Sequence, residues 1–239
     1  PILIYIKNIE LISFRRAWQC GIVDPCNHRS CSMKGCQMPT KLIIPGLNGS
    51  GEGHWQDHWL KDDPDAILVS QADWAKPDIV EWTEAVEMAL ARHPGSILVA
   101  HSLGAVIAAG LATRPSRHLI KGALLVAPCD MLRASSLHPG QVVSRSVPIA
   151  RLTFPSVLVA SRNDPYMAYE AAVRLAARLG SDLVDLGHAG HINVASGYGR
   201  WKRGYRLAAR LERHGYGMKS ETGETIFETL AGLTARNSR

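Results

Sequence analysis

The 239 residues are 46% hydrophobic and 20% charged, enough apolar material for a real core, which excludes a disordered tail or a peptide-sized scaffold. With 21 Gly and 13 Pro the chain is neither collagen-like nor of low complexity, and it fits one large domain or two small ones. The net charge of +6 is no nucleic-acid footprint: Lys7, Arg15, Arg16, Arg29 and Lys34 against Glu10 and Asp24 leave +3 in residues 1–38, residues 215–239 balance, and no motif gathers the remaining +3 on one face.

The chain opens on an apolar stretch, but Lys7, Glu10 and Arg15 interrupt it well short of the roughly 20 residues that span a bilayer. It does not read as a secretory signal either, because the stretch precedes Arg15-Arg16 and no small-residue cleavage pattern follows. The expectation is a soluble, cytoplasmic protein with no membrane partner. Cys20, Cys26, Cys31 and Cys36 all fall in the first 38 residues, leaving only Cys129 elsewhere. A disulfide framework would be spread through the fold, and these spacings lack the close pairs of a zinc site even with His28 at hand, so no metal is expected. Composition changes abruptly at Met38-Pro39. Residues 1–37 are therefore expected to be an appendage, with Met38 as the natural first residue, 38–214 the domain, and 215–239 a tail in which Ile226, Leu230 and Leu233 mark one more helix at most.

From Met38 onward strands and helices alternate. Lys41 to Pro45 is a short apolar run entering the turn Gly46-Leu47-Asn48-Gly49-Ser50-Gly51, with a helix expected near His54 to Lys61. Ala66 to Ser70 reads as a second strand; Ile79, Trp82, Val86 and Leu90 then recur at helical spacing up to Pro94-Gly95. Ser96 to Ala100 is a third strand and Leu103 to Ala112 a helix. Ile120 to Ala127 is a fourth strand, after which the pattern lapses to about Thr153, where only a small lid has room to form. Val157 to Ala160, a helix over Tyr166 to Leu179, Asp182 to Leu186 and a helix over Trp201 to His214 complete the domain. Six strands alternating with helices imply parallel pairing and a three-layer α/β sandwich. No internal repeat is present.

Chemistry concentrates where strands end, as open α/β sheets require. Ala100-His101-Ser102-Leu103-Gly104 matches the nucleophile elbow G-x-S-x-G with its first glycine replaced by alanine. The serine sits on a tight, strained turn, so the positions two before and two after it must be small for strand and helix to pass. A serine hydroxyl is nearly inert at neutral pH and needs an adjacent base, which in turn needs an orienting carboxylate. In this arrangement the chain order is Ser, then Asp or Glu, then His. Asp164 follows the fifth strand and His191 the sixth, so all three arrive at one side of the sheet. Asp164 before Pro165 also suits a helix N-cap, and Asp130 is the rival acid. His188 competes with His191, but Gly190 lets the backbone bring His191 close. His101 is expected to pack or hydrogen-bond locally, and His54, His58, His93, His118, His138 and His214 to lie at the surface or at helix ends.

The glycine-rich turn lacks the Lys-Ser/Thr ending of a P-loop and is not a dinucleotide fingerprint. It reads instead as half of an oxyanion hole, with the amide of Leu47 or Asn48 joining that of Leu103, the residue after the nucleophile.

Taken together, Pro45 to Gln56, Gln71-Ala72-Asp73-Trp74, Ala100 to Gly104, Ser161 to Tyr166 and Gly190-His191-Ile192-Asn193 resemble the retinoblastoma-binding-protein-9-like group of small α/β-hydrolase-fold serine hydrolases, from about Met38 to Gly204. The resemblance implies a compact hydrolase without a large cap, with Ser102 as nucleophile, Asp164 as acid and His191 as base. It carries over no cofactor. Trp55 follows the glycine-rich turn and Trp74 the second strand, where both are candidates to line an apolar or aromatic acyl pocket, with core packing the equal alternative for Trp55. The expected function is hydrolysis of a carboxylic ester, thioester or activated amide of a small-molecule acyl substrate. The competing expectation is an interaction module that keeps the fold without turnover.

Overall fold

A computed structural model describes residues 38–143 and 145–214. The appendage, the Cys-rich segment and the tail lie outside the described residues. Among the described residues six strands form one sheet: β1 (Lys41–Ile44), β2 (Ala66–Leu68), β3 (Ser96–His101), β4 (Ile120–Val126), β5 (Ser156–Ala160) and β6 (Asp182–Asp185). The order is β2-β1-β3-β4-β5-β6, every pairing parallel, as the alternation of elements requires. Among the described residues five α-helices supply the crossovers or follow the last strand: α1 (Trp55–Asp62), α2 (Ile79–Arg92), α3 (Leu103–Gly110), α5 (Tyr169–Leu179) and α6 (Lys202–His214), with the short α4 (Met131–Leu137) after β4.

The strand sequences are continuous apolar runs because both faces of the sheet are covered. Side chains alternate between the faces. Leu42, Ile44, Leu98, Ala100, Leu125 and Leu158 meet Trp82, Val86 and Leu90 of α2, the alanines of α3, and Ala172 and Ala176 of α5. Ile43, Ile97, Val99, Leu124, Val126 and Val159 meet Trp55 and Trp59 of α1 and Leu207, Ala208 and Leu211 of α6. This is the expected three-layer sandwich. Each fully buried Val, Leu or Ile in it contributes about 1.5–3 kcal/mol before entropy is counted. The polar exception at the start of β1 is paired: Lys41, 6% exposed, reaches Asp63 at 3.4 Å and Glu212 at 3.2 Å, tying the strand to the ends of α1 and α6.

Two elements depart from the sequence expectation. The lapse after β4 contains α4, capped by Asp130, whose Oδ1 accepts from the amides of Leu132 and Arg133. The helix expected from Tyr166 begins at Tyr169, with Ala168 as its N-cap. Asp164 is therefore no N-cap of that helix; its Oδ1 closes a turn by accepting the Tyr166 amide at 2.8 Å. Among the described residues no helix is long and apolar enough to cross a membrane.

From β1 the chain moves outward to β2, then returns to β3 on the other side of β1. The loops leaving β1 and β3 thus part toward opposite faces and open a crevice at the carboxyl ends of the strands.

Candidate active site

Ser102 sits where β3 turns into α3, at φ 53° and ψ −121°. This left-handed backbone is costly for a non-glycine residue and holds only because its surroundings fix it. The Ser102 amide donates to the Val126 carbonyl at 3.0 Å, and its carbonyl accepts from Ala105 at 3.0 Å. Gly104 lies so close to the β1 exit that a Cβ there would run into the carbonyl oxygens of Ile44 and Pro45. A Cβ on Gly46 would stand 2.8 Å from the Ser102 Cβ. The small residues are thus required by contact. Ala100, fully buried, satisfies the position where glycine is usual.

The Ser102 hydroxyl lies 2.8 Å from His191 Nε2, and His191 Nδ1 lies 2.9 Å from both oxygens of Asp164. All three side chains are buried, at 9%, 7% and 8% exposure. A neutral imidazole between a carboxylate and a hydroxyl donates from Nδ1 and accepts at Nε2, the tautomer a general base needs. The loop bearing His191 is heavily restrained. The His191 amide donates to Ser196 Oγ at 3.1 Å, its carbonyl takes the His101 Nε2 proton at 2.9 Å, and Trp55 Nε1 donates to the Ile192 carbonyl at 2.9 Å. A side chain on Gly190, at φ 56°, would strike Ser196. Ile192, β-branched yet at φ 51°, is a strained position that these bonds and complete burial hold in place.

The rivals are placed elsewhere. Asp130 caps α4, and His188 is exposed. His101 packs and hydrogen-bonds locally, and burial holds its imidazole well below the usual histidine range. Cys129 shares the cavity wall with Ser102, but burial pushes its thiol up to about 12, so it is a thiol and no thiolate nucleophile at neutral pH.

The cavity over Ser102 has a volume of about 310 Å³ and is walled by Leu47, Asn48, His54, Ala134, Tyr166 and Val194, among others. Of the candidate oxyanion donors, Asn48 has its amide engaged with the Trp74 carbonyl at 2.8 Å, whereas the Leu47 amide has no acceptor among the described residues. Leu103 N lies 3.3 Å from the Cβ position of Gly46, the residue directly before Leu47, so the start of α3 and the glycine-rich turn meet beside Ser102. Of the Leu47 and Asn48 amides, that of Leu47 is thus the one left without an acceptor among the described residues.

Neither tryptophan lines the cavity. Trp55 is 1% exposed and belongs to the core beneath α1, where its Nε1 braces the His191 loop. Trp74 packs edge-on against Trp82 at 5.5 Å, with its ring under Gly49. Aromatic rings placed after a strand serve core or loop packing as readily as a pocket, and here the packing partners claim them. Sequence reasoning also passed over three cavity residues, His54, His138 and Tyr166. The Tyr166 hydroxyl lies 2.9 Å from His138 Nε2, and its ring is 4.2 Å from that of His191. His54 stands directly before Trp55 at the end of the glycine-rich turn, and that placement was the available signal.

Comparison with known proteins gives the family and the fold. Residues 41–210 match the model of the serine hydrolase family. A YdeN-like hydrolase from Pectobacterium atrosepticum is 32% identical, with 74% of this chain and 92% of that one covered at a TM-score of 0.65. The ydeN gene product of Bacillus subtilis is 19% identical over 72% of this chain and 98% of that one, TM-score 0.56. MGS-M1, an α/β-hydrolase enzyme from a deep-sea metagenome library of the Medee basin, is 13% identical over 78% and 88%, TM-score 0.57, and shares the fold. No curated protein sequence matches. With the family matched over most of the chain and the α/β-hydrolase fold shared by its structural relatives, the chain belongs to the serine hydrolase family.

Proposed function

We propose that the protein hydrolyses a carboxylic ester, thioester or activated amide through an acyl-enzyme on Ser102. The observation that carries this reading is the hydrogen-bonded line from the Ser102 hydroxyl through His191 to Asp164 beneath an open cavity. His191 Nε2 takes the hydroxyl proton as Ser102 Oγ attacks the carbonyl carbon. Asp164 holds the ring and stabilises the imidazolium. The amides of Leu47 and Leu103 receive the developing oxyanion, each worth roughly 3 kcal/mol in related sites. His191 then returns the proton to the leaving group, and a water molecule activated by the same imidazole cleaves the acyl-enzyme. No step calls on a cofactor. A cavity of about 310 Å³ lies at the small end of ligand pockets and suits a short acyl substrate. The motif set further supports a place in the retinoblastoma-binding-protein-9-like group.

Ser102→Ala is expected to abolish hydrolysis of p-nitrophenyl butanoate, a loss on the order of 10³-fold or more. A fluorophosphonate probe is expected to label Ser102 and to fail on His191→Ala. Undiminished turnover in Ser102→Ala would sink the assignment; well-folded protein that takes no label would instead favour an interaction module.

A further inference from the structure

His54 is 6% exposed, yet its ring forms part of the cavity wall with Ser102 and Leu47, and only one of its nitrogens is accounted for. Nδ1 accepts the Gln56 amide at 3.1 Å, and because a main-chain amide can only donate, Nδ1 carries no proton. Burial, reinforced by the nearby His191, pushes the imidazole down to about 4, so the ring is neutral at pH 7. Its single proton therefore sits on Nε2, for which the described residues offer no acceptor. Polar groups in a protein interior are ordinarily satisfied, and Nε2, which is not among the fully buried unpartnered atoms, is left accessible to a ligand in the cavity.

The neighbours of His54 say which part of a ligand it meets. Its ring is 5.0 Å from that of His101, which lies 4.9 Å from His191, and the adjoining Trp55 donates to the Ile192 carbonyl. His54 thus stands next to the residue that braces the His191 loop, and Asn193 and Val194 of that loop line the same cavity. In acyl transfer the imidazole protonates the departing oxygen, so this side of the cavity receives the leaving group.

Resting on the hydrolase reading above, we infer that the His54 Nε2 proton is donated to the alcohol portion of the substrate, and that the enzyme selects esters whose alcohol carries an ether or hydroxyl oxygen a few bonds from the ester oxygen. His54 is a specificity-determining residue in this assignment; Leu47 and Leu103 remain the oxyanion donors.

The test uses two esters of one shape, 2-methoxyethyl butanoate and butyl butanoate, which differ by an oxygen in place of a methylene. Their kcat/KM values are measured by pH-stat, each normalised to its hydroxide-catalysed rate, in the wild type, His54→Asn and His54→Gln. Asn keeps an acceptor at the Nδ1 position and still caps α1, but does not reach the Nε2 position; Gln places an amide N–H there and loses the cap. One neutral hydrogen bond corresponds to a preference of about three- to ten-fold for the ether ester in the wild type. His54→Asn is expected to erase it with an unchanged Tm, and His54→Gln to retain part of it at a lower Tm. An indifferent wild type, or His54→Asn with wild-type selectivity, overturns the assignment. If His54→Asn fails to fold, a His54→Gln variant without any preference overturns it as well. A wild type that hydrolyses neither these esters nor p-nitrophenyl butanoate overturns the hydrolase reading itself, and with it this inference.

Discussion

Gly104 decides how near α3 can lie to the exit of β1, and that approach fixes the turn on which Ser102 is mounted. A methyl group at this position meets main-chain carbonyls of Ile44 and Pro45, atoms that cannot swing away as a flexible side chain would. Gly104→Ala is therefore expected to destabilise the protein by about 3 kcal/mol or more, read as a lower midpoint in urea, with activity falling alongside. A variant of wild-type stability would show that the elbow can yield where the structure says it cannot. At this scale the sequence was most informative about Ser102, Asp164 and His191, because each chemistry-bearing side chain follows a strand and has a recognisable local companion: two small residues, a proline, a glycine. It was least informative about His54. A histidine beside a tryptophan gives no sign of which nitrogen will be consumed by capping α1 and which left facing the cavity.

The strands were legible because parallel strands covered on both faces need no alternation and appear as bare apolar runs, with Ser96–His101 buried at every position. α4 was not. It has seven residues, of which Leu132 and Leu137 are exposed and only Ala134 is buried, so it offers no apolar stripe at helical spacing. Its signal is the cap. Asp130→Ala removes the acceptor for two amides and is expected to cost about 1 kcal/mol in stability. Because α4 brings Ala134 to the cavity, and His138 follows it, the same change is expected to raise KM and leave fluorophosphonate labelling of Ser102 intact. Loss of labelling would mean that Asp130, and not Asp164, serves the imidazole. The later start of α5 has a similar local cause: Asp164 spends one oxygen on the Tyr166 amide while both face His191, which holds residues 164–168 out of helical register.

For the molecule as a whole, two buried imidazoles couple stability to pH. His54 titrates near 4 and His101 well below the ordinary 6.5, in both cases chiefly through burial, so the folded protein keeps them neutral where the unfolded chain protonates them. Below pH 6.5 the unfolded state binds more protons, and stability falls as pH falls, by about 1.4 kcal/mol per pH unit for each such histidine once it is fully protonated in the unfolded chain. The stability is complete above 6.5 and declines toward 4, where His54 begins to charge in the native state. Urea midpoints measured at pH 7, 6 and 5 are expected to drop, and to drop less steeply in His54→Asn. A flat profile would mean that both rings take up protons in the folded state.

Among the described residues no strand pairs with the far sides of β2 and β6, and their make-up bears on how copies of the chain meet. β2 is three residues long, too brief a template for a neighbouring strand. β6 reads Asp-Leu-Val-Asp, with Asp182 exposed and Asp185 bound to Arg162 at 2.7 Å, so an incoming strand would have to dehydrate one carboxylate and disturb an ion pair. Both outer strands thus resist edge-to-edge growth, and the hydrophobic runs that build the core are kept from acting as templates for aggregation.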